Sequence, residues 1–171
     1  MISTRSRGGG APGGAARVAV SFTTAIRRGL APDGGLYLPT RLPGVTAVTL
    51  RVLREAAVDA PGSPEALALT ARHILEPFLD DPADAPLREH LPELCRHAFA
   101  APIPLRELDE STCLLELHHG PTAAFKDMAA RFLAGALSAV GMRGHVLVAT
   151  SGDTGSAVAA AFEGRPGFRV S

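Results

Sequence analysis

Apolar positions along this chain follow two regimes. Over roughly the first 86 residues they recur mostly at helical spacing. Beyond that, short apolar runs alternate with helical stripes. "RVAVSFTTAIRRGL" (17–30) opens with a strand-like run. Ser21 is then placed to cap a helix carrying Phe22, Ala25, Ile26 and Leu30 on one face. Pro32, Asp33, Gly34 and Gly35 predict a tight turn that defines the fold, followed by an extended Leu36 to Leu38 before Pro39. Residues 49–58 predict a short helix. "SPEALALTARHILEPFL" predicts a longer one, with Ser63 as cap, Pro64 in the first helical position and Glu65 in the first turn. Its inward stripe reads as Leu67, Thr70, Ala71, Ile74, Leu75 and Phe78. Asp80 to Pro86 reads as a polar, proline-containing linker, and 87–98 as a weaker helix.

The second regime begins with "STCLLELHHG", which predicts a strand over about 112–117. Phe125, Met128, Ala129, Phe132, Leu133, Ala136, Leu137 and Val140 then predict a helix of roughly 17 residues, with Gly141 placed to end it. "HVLVAT" (145–150) reads as a buried strand, "SGDTG" (151–155) as a turn, "SAVAAAF" as the next helix and "FRVS" as a further strand. Strand, helix, strand, helix, strand predicts a βαβαβ unit on a parallel sheet. Such a sheet needs helices on both faces, more than this chain supplies. The expected fold class is therefore α/β: a mostly helical N-terminal domain (1–86), then the first part of a larger parallel-sheet domain (87–171).

Composition narrows the chemistry. Net charge is zero at neutral pH, which gives no electrostatic footprint for nucleic acid. The apolar runs are short, so no membrane span is expected. Cys95 and Cys113 lack CxxC spacing and read as reduced core thiols of a cytoplasmic protein, with no metal site expected. The stretch "MISTRSRGGGAPGGAAR" is basic without an apolar core, and reads as a Gly/Ala loop rather than a signal peptide. One count stands out. Of 17 basic residues, 16 are arginine and the single lysine is Lys126.

Lysine can lose its proton near neutral pH and attack a carbonyl as a primary amine; arginine cannot. Lys126 falls in the first turn of its predicted helix, where unpartnered N–H groups favour anions and disfavour an ammonium. Helix start and apolar burial are both expected to lower its pKa. Asp127 either offsets this or caps N–H groups. In "TSGDTG", Gly152 and Gly155 permit close backbone approach and Thr150, Ser151 and Thr154 add hydroxyls. A nest for a carboxylate or phosphate is one reading, and ordinary N-capping by Ser151 or Asp153 is the other. The turn is neither a P-loop nor GxGxxG, and Ala149 excludes a serine-hydrolase elbow. His118, His119 and Glu116 precede the lysine loop and read as structural more readily than as substrate contacts; His73, His90 and His97 read as surface or boundary residues.

"HGPTAAFKD" (119–127) and "TSGDTGSA" (150–157), on consecutive strand-to-helix loops, together resemble the threonine synthase family. "ISTR", "VSF..AI..GLAPDGGLYLP" and "EPF" resemble that family's N-terminal domain in the same order. The glycine-rich "GGGAPGGAA" departs from the pattern as an insertion between "STR" and "VSF". The resemblance implies a fold type II pyridoxal-phosphate enzyme, tryptophan-synthase β-like, that converts O-phospho-L-homoserine and water to L-threonine and phosphate. It implies that Lys126 forms the Schiff base with the cofactor and afterwards serves as general base. It implies cofactor contacts from Ser151, Gly152, Asp153 and Thr154, and substrate contacts from Thr150, Ser151 and Thr154. Pro121 and Thr122 would shape the loop entering the lysine helix. The family's phosphate-binding loop and the rest of its sheet would lie downstream, so the chain reads as an N-terminal fragment, inactive alone. Another fold type II lyase, such as a serine/threonine dehydratase, and a non-catalytic remnant are the alternatives.

Overall fold

The computed structural model describes residues 1–3, 19–150 and 152–171. The Gly/Ala loop, the first residues of the strand-like 17–20 run and Ser151 lie outside the described residues. Ala19 and Val20 are not in a strand. Among the described residues, β1 (Ile2–Ser3) pairs antiparallel with β2 (Tyr37–Leu38). Between them, α1 (Phe22–Arg28) starts at Ser21, whose hydroxyl accepts from the Thr24 N–H at 3.0 Å. The Pro32–Gly35 turn forms as expected: Asp33 accepts from the Gly35 N–H at 2.9 Å.

Three helices complete the front layer: α2 (Ala47–Asp59), α3 (Pro64–Leu75) and α4 (Ala85–Ala98). Ser63 caps α3 through the Ala66 N–H, and Pro64 occupies its first turn. The inward stripe differs in part from the sequence reading. Ala66, Ala68 and Ala71 are the buried positions of α3, Leu75 packs on the core, and Ile74 is exposed. Close approach of α4 explains the choice, because small side chains face the crossing.

The 80–86 segment is more than a polar linker. It contains a 3-10 turn, Pro82–Asp84, and Asp84 is fully buried. The Asp84 carboxylate accepts from the backbone N–H groups of Phe22 (3.2 Å) and Thr23 (2.7 Å). It thereby satisfies donors that α1 cannot satisfy internally. Around it, Leu79, Leu87, Leu91, Leu94 and Cys95 form the main core, which reaches Ala136 of the next helix.

Beyond α4, β3 (Leu105–Glu107) and β4 (Cys113–Leu115) form an antiparallel hairpin, followed by α5 (Lys126–Ala139), β5 (Gly144–Val146), α6 (Asp153–Phe162) and β6 (Phe168–Val170). The fold class is α/β, but the expected continuous βαβαβ sheet is corrected. Among the described residues only β5 and β6 pair in parallel, in the register Gly144↔Phe168 to Val146↔Val170. β4 pairs with β3, because the short Leu108–Thr112 connection closes a hairpin at once: the Leu108 N–H donates to the Thr112 carbonyl at 3.0 Å. The 145–150 segment is likewise not a buried strand. The strand ends at Val146, and His145 and Leu147 are exposed, since among the described residues β5 has β6 as its one strand neighbour. Helix α5 is 14 residues, ended as expected by Gly141 at φ 72°. A second, alanine-lined core joins α5 to α6 through Ala130, Ala134, Ala157 and Ala161. Among the described residues no helix is long and apolar enough to cross a membrane.

Candidate functional site

Lys126 is the first residue of α5 and is half-buried. Its Nζ lies 4.3 Å from the centroid of the Phe125 ring, which holds the amine against an aromatic face. The loop before it is bent by Ala123 at φ 55°, a conformation costly for a residue with a Cβ. Asp127 pins that bend. Its carboxylate, 2% exposed, accepts from the Thr122 N–H at 2.9 Å and from the Thr122 hydroxyl at 2.6 Å. A Cβ on Gly120 would collide with the same carboxylate. Of the two roles left open by the sequence, Asp127 takes N–H binding, of the preceding loop rather than of its own helix. Nothing in the residue pattern signals this contact, because it depends on the turn at Ala123.

The second loop leads into α6. Gly152 is its N-cap, in extended backbone. Thr150 Oγ1 accepts from the Gly152 N–H at 3.0 Å. Among the described residues neither α5 nor α6 has a side-chain cap, so Asp153 does not cap α6; Ser151, the other capping candidate, lies outside the described residues. Asp153 and Thr154 are exposed at the helix start, where first-turn N–H groups lack intrahelical partners. Gly155 is buried against Thr150 and Val148, and any Cβ there would overlap the Thr150 methyl. Glycine is therefore a packing requirement at 155.

Topology brings the two helix starts to one end. Helix α5 runs into β5 through the tight Gly141 turn, and α6 runs into β6 through residues 163–167. Since β5 and β6 are parallel, both helices run back along them and begin at the strands' C-terminal end. In open α/β sheets that end is the ligand crevice. A primary amine, hydroxyls and two uncapped helix starts are a donor set suited to a carbonyl compound bearing an anionic group.

Glu116, His118 and His119 stand upstream on the same loop. The His119 ring is hydrogen-bonded through Nε2 to a Glu116 carboxylate oxygen at 2.7 Å and stacks on His118 with ring centroids 4.4 Å apart. Arg106 lies 3.7 Å from the other Glu116 oxygen. The His119 hydrogen bond, with the charges of His119, His118 and Arg106, holds the Glu116 carboxyl below its usual range against a smaller desolvation effect. His73 is half-buried and His90 and His97 are exposed, as the sequence implied. Of the two expected core thiols, Cys95 is buried and Cys113, on the hairpin, is exposed; both are free. Burial pushes the Cys95 thiol up to about 11, partly offset by the Arg72 charge.

These features define an α/β chain built around an amine-bearing strand-to-helix crevice, behind a helical front layer. The family model described as the threonine synthase N terminus matches residues 2–99. Threonine synthase from Haemophilus influenzae is 38% identical over 153 residues, covering 88% of this chain and 33% of that protein. Among solved structures, threonine synthase from Escherichia coli superposes with a TM-score of 0.71 at 37% identity, over 88% of this chain and 33% of that one. The pyridoxal-phosphate-bound threonine synthase from Brucella melitensis gives 0.69 at 35% identity, over 99% and 34%. The chain belongs to the threonine synthase family, and it spans about a third of the length of these relatives.

Proposed function

We propose that this chain is the N-terminal part of a pyridoxal-phosphate-dependent threonine synthase of fold type II. The reaction is conversion of O-phospho-L-homoserine and water to L-threonine and phosphate. In this reading residues 1–86 are the family's N-terminal domain and 87–171 the first part of the cofactor-binding domain. The observation that carries it is the placement of the only lysine, Lys126, at the uncapped start of α5, at the same end as the start of α6.

The residues present fit the cofactor, because the loop offers one amine for a carbonyl and the uncapped N–H groups of two helix starts for anionic oxygens. Bound there, pyridoxal phosphate supplies an electron sink for charge that develops on substrate carbons. Lys126 Nζ would hold the cofactor through its carbonyl, and as a free amine it would take up and return protons. Asp127 and Thr122 position it by fixing the loop one residue away. Ser151, Gly152, Asp153 and Thr154 would line the cofactor edge. Thr150, Ser151 and Thr154 orient the substrate carboxylate, as the open N–H groups of α6 favour an anion. Residues supplied by the relatives' remaining length are needed to close the crevice, so the 171-residue chain alone is expected to be inactive. Small-molecule chemistry of this kind, together with zero net charge, also supports a cytoplasmic setting without nucleic-acid or membrane partners.

The test is a chimera in which this chain replaces the matching third of the Escherichia coli enzyme. Threonine and phosphate should form from O-phospho-L-homoserine, and the Lys126→Ala chimera should form neither. A folded, cofactor-loaded chimera that deaminates serine or threonine but leaves phosphohomoserine untouched would overturn the reading.

A further inference from the structure

We infer that Glu116, His118 and His119 form a binding site for a divalent transition-metal ion of the zinc class. The side chains offer one carboxylate oxygen and two imidazole nitrogens, and these three ligand atoms all lie within 4.8 Å of one another. This departs from the expectation that the chain has no metal site.

The geometry is near what such an ion requires. In a tetrahedral zinc site with bonds of about 2.0–2.1 Å, neighbouring ligand atoms stand about 3.3 Å apart. The His119–Glu116 pair at 2.7 Å must open by a few tenths of an ångström, and His118 must close in. Both moves are available. His118 and His119 are exposed, and their stacked rings already lie side by side with an interplanar angle of 29°. Two imidazoles and one carboxylate favour zinc, cobalt(II) or nickel(II) over magnesium or calcium, which prefer all-oxygen sets. Solvent exposure leaves the fourth position to water.

Arg106 opposes the ion. Its guanidinium sits 3.7 Å from Glu116, and its side chain is 72% exposed, free to swing away. This opposition makes the site distinguishable from a plain Glu–His hydrogen bond, because removing the Arg106 charge should tighten metal binding. A metal at 116–119 would fix the strand end that leads through Gly120 and Pro121 to Lys126. The site does not depend on the cofactor reading, and its test contains no pyridoxal phosphate.

The test is titration of the metal-free 171-residue chain with cobalt(II), read by visible absorption, followed by displacement with zinc. We expect one equivalent bound, with the stronger bands of a four-coordinate site, displaced by one equivalent of zinc. His118→Ala should weaken binding at least about tenfold, since a ligand is lost where even outer partners count for that much. Arg106→Gln should tighten it several-fold, and Cys113→Ser should leave it unchanged. Glu116→Gln should also weaken it; His118→Ala keeps the test open should Glu116→Gln fail to fold, because His118 is exposed. No saturable binding, binding untouched by His118→Ala, or binding abolished by Cys113→Ser would overturn the site.

Discussion

The front layer and the crevice half of this molecule bury their surfaces in different ways. Helices α3 and α4 close a core of leucines, with Leu79, Leu87 and Leu91 each at most 2% exposed. The α5–α6 contact is built mainly of alanines with Phe162 at its end, and its neighbouring segments leave Leu114, Leu115, Phe125 and Leu147 open to solvent. Large buried side chains supply most of the transfer free energy, so the front layer has the means to hold itself together. The crevice half has small residues that allow close helix approach and packs Val146, Phe168 and Val170 on them, but its hairpin positions Leu114 and Leu115 remain uncovered. The lesson is that the chemistry-bearing loops sit on the half of the chain with the weaker packing of its own. That half leans on the front layer through Ala136 and Phe132 of α5.

The two cysteines give the widest expected contrast. Cys95 belongs to the front core with its thiol raised to about 11, and Cys113 to the exposed hairpin. An ordinary free thiol titrates near 8.5, so the thiolate fraction of Cys95 near pH 8 is lower by more than about a hundredfold. Alkylation should modify one thiol, Cys113, well before the other, and peptide mapping checks it. Equal rates would mean that the front core opens as readily as the hairpin.

Truncation of core leucines comes next. Leu91→Ala should cost about 3 kcal/mol of unfolding free energy, the usual range for a buried leucine. Leu147→Ala, at a position 75% exposed, should change it by less than about 0.5 kcal/mol. Urea unfolding of both variants measures the comparison directly. Asp84→Ala should fall between them, at about 2 kcal/mol, because it leaves the Phe22 and Thr23 N–H groups without their buried acceptor.

The smallest effect is one of pH. Glu116 is held below the usual carboxylate range by His119, so the pair favours the folded state while the carboxylate is ionised. That contribution is present above the unfolded carboxylate value, about 4.3, and is lost as pH falls through the depressed folded value. His119→Ala should move the Glu116 titration upward in carbon-13 NMR. The stability difference between variant and native chains should shrink under acid conditions.

How much of this was legible in the sequence follows the same division. Caps declare themselves locally, which is why Ser21, Ser63, Pro64 and Gly141 stand where the residue pattern put them. Lys126 was visible because no other position keeps a lysine. Contacts that join distant segments carried no signal. Asp84 reads as part of a polar linker until α1 is folded over it, and Asp127 as an ambiguous charge until Ala123 turns the loop toward it. Strand partnering failed for a related reason. Apolar runs give strand positions but not neighbours, and the 108–112 connection pairs β4 with β3 rather than with β5. Roles for Thr150, Gly152, Asp153 and Thr154 rest on the resemblance and on the shared end of α5 and α6.

The central claim is that Lys126 is the cofactor lysine, and reductive trapping tests it most directly. The chain is incubated with pyridoxal phosphate, reduced with borohydride and mapped by peptide mass spectrometry, with Lys126→Ala alongside. A reduced pyridoxyl adduct on the Lys126 peptide, absent from the variant, is the result this account predicts. Labelling confined to the N-terminal amine, with Lys126 unmodified in the folded chain, would contradict it.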